Sequence, residues 1–126
     1  MNPKMFLTWG GWVLVLVAIL GAIGVIGPTA DQSLFGESWY FDAAENWAHL
    51  IIGLVGLAAA MWTDAGMQRT LTWIVGIVAL IIGLWGWFLS GDAPNFYGAN
   101  LENPLDNILH LVVGIWALWA VMGKEE

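Results

Sequence analysis

The chain has 126 residues, 60% of them hydrophobic and only 10% charged, with a net charge of −7 and a mean hydropathy of +0.75. So much apolar surface cannot be hidden inside one soluble domain of this length, which makes lipid its natural solvent. The absence of cysteine excludes disulfides, thiolate metal sites, iron–sulfur clusters and covalently attached c-type haem.

Four apolar stretches, at about 5–27, 42–62, 70–90 and 104–122, each approach the roughly 20 residues a spanning helix needs. They predict an all-α integral membrane protein of four transmembrane helices in a single domain, 1–126. The first stretch is longer than the roughly 7–15 residues of a signal-peptide core, and Pro28 stands where a small cleavage-site residue belongs. It reads as a retained helix, and its Leu7-Thr8-Trp9 recurs as Leu71-Thr72-Trp73 at the start of the third.

The basic residues set an orientation. Lys4 precedes span one, Arg69 lies between spans two and three, and Lys124 follows span four, so all three fall on one side. The positive-inside rule then places both termini and the short loop 63–69 in the cytoplasm. The two longer connections face outward, and with the adjoining helix starts they carry Asp31, Glu37, Asp42, Glu45, Asp92, Glu102 and Asp106, seven of the ten acids. Such a face disfavours nucleic acid and anionic lipid; it suits solvated loops, a cationic partner or a high-salt exterior.

Span two opens with Glu45-Asn46-Trp47-Ala48-His49-Leu50-Ile51-Ile52-Gly53-Leu54. Span four opens with Asp106-Asn107-Ile108-Leu109-His110-Leu111-Val112-Val113-Gly114-Ile115. One constant offset of 61 residues relates Phe35 to Phe96, Glu45 to Asp106, His49 to His110 and Gly53 to Gly114, and these are the only two histidines. Colinear matches of this kind predict two parallel helix-pair repeats, about 5–62 and 70–122, related by a pseudo-two-fold axis along the membrane normal. Spans two and four carry the polar side chains and are expected inside the bundle, with the nearly apolar spans one and three facing lipid.

Asn46, His49, Gly53, Gly56 and Ala60 share one helix face, and Asn107, His110, Gly114 and Ala117 repeat it. A small-residue face beside an imidazole serves either close helix contact or the seating of a flat macrocycle. In the second case His49 and His110 are axial ligands, jointly to one haem b or each to a (bacterio)chlorophyll, with Asn46, Asn107, Gly53 and Gly114 lining the ring. A third arrangement is a metal site of Glu45, His49, Asp106 and His110, since carboxylate and imidazole at i and i+4 project from one face. In a purely structural reading the asparagines bond across the bundle, each histidine pairs with the acid one turn before it, and Asp42 and either Asn103 or Asp106 cap their helices.

Of the ten tryptophans, Trp9, Trp62, Trp73 and Trp119 fall near the inner boundary and Trp39, Trp47, Trp85 and Trp87 near the outer one, the pattern of an interfacial belt. Trp116 lies deeper. No span carries a mid-membrane charge or an internal proline, and Ser90 has no histidine near it in sequence, so neither transport nor catalysis is expected.

The two motifs resemble a family of uncharacterised bacterial four-helix membrane proteins with an Asn-x-x-His-Leu-x-x-Gly signature, the likeness running through all four spans. It implies the fold and brings no activity with it. Purple-bacterial antenna helices are similar more loosely: they place a small residue four before the pigment-binding histidine, where this chain has Glu45 and Asp106. The expected role is a non-enzymatic accessory or scaffolding subunit of a larger membrane complex or homo-oligomer, in a bacterial inner membrane or one derived from it, binding a tetrapyrrole through its histidines. The alternatives are an autonomous haem-b electron carrier and a small metal site without a tetrapyrrole.

Overall fold

The computed structural model describes residues 1–89, 91 and 95–124, so Ser90 and Asp92 lie outside the described residues. Four helices form: α1 (Pro3–Ala22), α2 (Ala43–Trp62), α3 (Ala65–Phe88) and α4 (Leu105–Val121). The first connection holds two short 3-10 turns, Ala30–Gln32 and Gly36–Ser38. No strand is formed among the described residues.

Local chemistry sets the helix ends. Asn2 caps α1, its side chain accepting from the Met5 N–H at 2.9 Å, and Pro3 occupies a first-turn position where its missing N–H costs nothing. That helix stops at Ala22, short of residue 27, because Gly24 adopts φ +89 and turns the chain away. In α2, Asp42 and Glu45 form a complete capping box. Helix α3 starts at Ala65, earlier than residue 70, because the Asp64 side chain accepts from the Met67 N–H at 2.8 Å and draws 65–69 into the helix. Helix α4 begins behind Pro104 without a side-chain cap, so neither Asn103 nor Asp106 caps it. Both are engaged elsewhere, as described below.

Three helices, α1, α2 and α3, are long and apolar enough to cross a membrane. Helix α4 is apolar but has only 17 residues, about 25 Å at 1.5 Å per residue against a hydrocarbon core of about 30 Å.

The packing departs from the expected division into inner and outer spans. Helix α1 pairs tightly with α2 and α3 with α4; α1 also touches α3 and α4, while α2 and α4 do not pack closely on one another among the described residues. Each polar helix hides its small-residue face against its own hairpin partner, so all four helices keep an apolar face outward, including Trp12 and Leu16 of α1, Ile51 and Val55 of α2, Ile77 and Ile81 of α3, and Val112 and Ile115 of α4. The buried apolar cluster joins Phe6 and Leu7, Ala59 and Ala60, and Ala117 and Ala120. Trp116, the deep tryptophan, packs edge-on against Phe6 there, with centroids 4.7 Å apart at 72°.

The three basic residues gather at this same end. The Arg69 guanidinium donates to the carbonyls of Val121 and Gly123, at 2.9 Å to the latter, and Asn2 Nδ2 donates to the Lys124 carbonyl at 3.4 Å.

Candidate functional site

At the opposite end, where α2 and α4 begin, the two long connections cross over and knit the helix pairs together. Trp39 of the first connection donates its indole N–H to Asp106 Oδ1 of α4 at 2.9 Å. From the second, the Asn100 N–H donates to Asp42 Oδ2 at the start of α2 at 2.7 Å, and Asn100 Nδ2 donates to Glu102 Oε1 at 3.0 Å and to the Tyr40 hydroxyl at 3.1 Å. Asp106 Oδ2 accepts from the Glu102 N–H at 2.8 Å, and Glu45 Oε2 from the Asp42 N–H at 2.9 Å.

The result is a cluster of three carboxylates, Glu45, Glu102 and Asp106, each offering an oxygen within 4.8 Å of the others. They are only 4%, 9% and 2% exposed, respectively. Lys4, Arg69 and Lys124, the only lysines and arginines in the chain, belong to the far end. Glu45 Oε1 and Glu102 Oε2 are buried without a hydrogen-bond partner. Burial, reinforced by the Asp106 carboxylate and then by Glu45, pushes the Glu102 carboxyl up to about 10.

Of the metal set read from sequence, Glu45 and Asp106 come together, but neither histidine belongs to the group. His49 is half-buried, its ring edge-on to Phe41 at 5.3 Å, and its Nδ1 is buried without a hydrogen-bond partner. His110 is also half-buried, with Nδ1 2.7 Å from the Asp106 carbonyl oxygen rather than the carboxylate. A carbonyl only accepts, so Nδ1 carries a hydrogen, and in the neutral ring Nε2 is the nitrogen with the lone pair. The asparagines bond locally rather than across the bundle: Asn46 Nδ2 donates to the Phe41 carbonyl at 3.2 Å and Asn107 Nδ2 to Asn103 Oδ1 at 3.0 Å.

The small-residue faces are filled by neighbouring helices. A Cβ on Gly53 would lie 2.8 Å from the Gly11 carbonyl oxygen, and one on Gly114 would lie 2.6 Å from the Leu80 side chain and 3.1 Å from the Gly76 carbonyl oxygen. Asn46 Oδ1 stands 2.0 Å from where a Cβ of Gly21 would be, and Asn107 Oδ1 stands 1.9 Å from that of Gly86. A planar ring laid on Gly53 or Gly114 would have to displace α1 or α3. An apolar groove of about 340 Å³ opens between the outer halves of α1 and α2, walled by Ile19, Pro28, Trp47 and Leu50 with Asn46 at its edge; neither histidine lines it.

Glu102, Trp39 and Asn100 were not legible as site residues. Glu102 aligns with Phe41 under the offset of 61, so the repeat pointed away from it. Its one sequence signal is its position four residues before Asp106, hidden by the intervening Pro104.

A family model described as a domain of unknown function, DUF4383, matches residues 4–123. No curated protein and no solved structure matches the chain.

Proposed function

The chain belongs to the DUF4383 family, a domain of unknown function, and we propose that it acts as a non-enzymatic scaffold, an accessory subunit that packs against a larger membrane assembly. The observation carrying this reading is the occupied glycine faces: the small residues beside both imidazoles are spent on helix contact, Gly53 on Gly11 and Gly114 on Gly76 and Leu80. Small residues at a helix interface are how membrane helices associate without a hydrophobic driving force. What the chain then has to offer is its outward apolar faces and its braced acidic end.

The same reading takes both termini as cytoplasmic and α4 as the short fourth span, in a bacterial inner membrane. A duplicated hairpin is its simplest origin. The buried faces support a parallel repeat: Leu7, Gly11, Ala18 and Gly21 of α1 correspond to Thr72, Gly76, Gly83 and Gly86 of α3, one position out of step with the Leu7-Thr8-Trp9 match. The second reading, tetrapyrrole binding, draws on His110, whose fixed Nδ1–H leaves Nε2 available as histidine ligands require.

A visible spectrum of the protein purified in mild detergent, beside a His49→Ala/His110→Ala double variant, separates the two. The scaffold reading expects no visible band in either and recovery of both the wild type and the double variant with a common membrane partner. A haem or chlorophyll band that the double variant loses would overturn it in favour of tetrapyrrole binding.

A further inference from the structure

We propose that Glu45, Glu102 and Asp106 form a divalent-cation site of the calcium type, placed so that the ion ties the start of α2 to the start of α4. Clustering alone would not carry this. Two further oxygens do: Glu45 Oε1 and Glu102 Oε2 are buried, on side chains less than a tenth exposed, and accept from no donor, the Glu102 carboxyl hydrogen-bonding Asp106 inside the cluster only when it carries a proton. In each glutamate the other oxygen is already held, Glu45 Oε2 by the Asp42 N–H and Glu102 Oε1 by Asn100 Nδ2. The carboxylates are thus oriented by one oxygen and left open at the other.

Geometry and donor chemistry agree on the ion. Two oxygens bound to one Ca²⁺ at about 2.3–2.6 Å can stand no more than about 5 Å apart, and the three offered oxygens lie within 4.8 Å of one another. Hard carboxylate oxygens suit Ca²⁺, Mg²⁺ or Mn²⁺ over softer metals. Ca²⁺ is favoured because it accepts irregular oxygen cages, whereas Mg²⁺ demands near-ideal octahedral ligands and keeps its waters. Both Asp106 oxygens already accept a hydrogen bond, yet each retains a second lone pair for a metal. No lysine or arginine competes at this end. The site stands whether or not the chain has a partner assembly, because its ligands all come from this chain.

The test is calorimetric titration of CaCl₂ into the full chain in detergent after chelator treatment, paired with thermal unfolding at matched ionic strength. Saturable binding is expected with a Kd of about 10⁻⁴–10⁻³ M, the range of extracellular calcium modules, together with a saturable rise in Tm. Glu45→Gln and Glu102→Gln should each weaken binding by about 10- to 100-fold, the loss seen even for outer-shell partners of metal ligands. Glu37→Gln, an exposed acid of the first connection, should leave it unchanged. Should a glutamine variant fail to fold, Tb³⁺ on the wild type replaces it: indole-sensitised emission that Ca²⁺ displaces and Trp39→Phe dims is expected. The proposal is overturned by titrations with Ca²⁺, Mg²⁺ and Mn²⁺ that show no saturable heat or Tm shift. Binding that survives both glutamine variants overturns it too, by assigning the ion to surface acids. Glutamine variants more stable than a wild type that ignores Ca²⁺ would overturn it in favour of a proton-sharing cluster.

Discussion

Glycine on α1 against asparagine on α2 is the sharpest single-residue fit in the molecule, and α3 and α4 repeat it. The Oδ1 atoms of Asn46 and Asn107 occupy the positions that Cβ atoms of Gly21 and Gly86 would fill. Both oxygens are buried without a hydrogen-bond partner and lie against the backbone of those glycines. Gly21→Ala should therefore destabilise the protein by about 1–3 kcal/mol, the usual penalty of overpacking. Because the clash is with one side chain, Asn46→Ala should relieve much of it, and a double-mutant cycle read by denaturation in micelles should show strong coupling between the two positions. Additive effects would mean that α1 simply shifts to accommodate the methyl. Spacing alone predicted the glycine faces on α2 and α4, but nothing in the local sequence distinguished a face that receives a helix from one that receives a ring.

The corner between α2 and α3 shows how a buried side chain satisfies the carbonyls at a helix end. Gln68, 4% exposed, donates Nε2 to the carbonyls of Ala60 at 3.1 Å and Thr63 at 3.0 Å, closing the last turn of α2. Gln68→Leu would leave these two acceptors unpaired and should cost about 1–3 kcal/mol; denaturation of the purified variant measures it. Arg69, next in sequence, performs the matching task for α4 by donating to the Val121 and Gly123 carbonyls. Arg69→Ala should speed amide hydrogen exchange in the last turn of α4 and leave the middle of α2 unchanged. Arg69→Lys should rescue only in part, because an ammonium lacks the fork that reaches two carbonyls at once. In the sequence Arg69 is legible only as a marker of sidedness. Its role as a clamp depends on a contact 52 residues away in the chain.

Taken whole, the molecule is two hairpins joined at both ends. An apolar cluster and the hydrogen bond from Asn2 to the Lys124 carbonyl fasten one end, and a buried carboxylate cluster braced by Trp39 and Asn100 fastens the other. The acidic end makes metal-free stability depend on pH, with a sign opposite to that of an ion-paired carboxylate. Glu102 holds its proton in the folded state up to about pH 10, whereas its ordinary value is 4.5. Between those limits the folded state binds more protons than the unfolded one, so stability is full below pH 4.5 and falls as pH rises toward 10. The groups facing Glu102 are Asp106 on α4 and Glu45 on α2, and both carboxylates act in the same direction on it. Unfolding midpoints measured in chelator from pH 5 to 9 should fall with pH, and Glu102→Gln should flatten the slope. A midpoint that stays level over this range, and is unchanged in slope by Glu102→Gln, would show that Glu102 is already ionised in the folded protein.

Composition and hydrophobic run length were sufficient for the all-helical, membrane-type class and for most of the helix limits, because both follow from what the chain does with its own neighbours in lipid. The clustering of Lys4, Arg69 and Lys124 at one end and the small-residue faces of α2 and α4 were legible for the same reason: each is a one-dimensional pattern. Tertiary structure alone decided what those faces meet. Whether Gly53 contacts α1, α4 or a macrocycle depends on hairpin pairing, and hairpin pairing is not written in any local period. It also decided which carboxylates meet, since Glu102 joins Glu45 and Asp106 only after the two connections cross, drawn by Trp39 and Asn100 across 67 and 58 residues of chain.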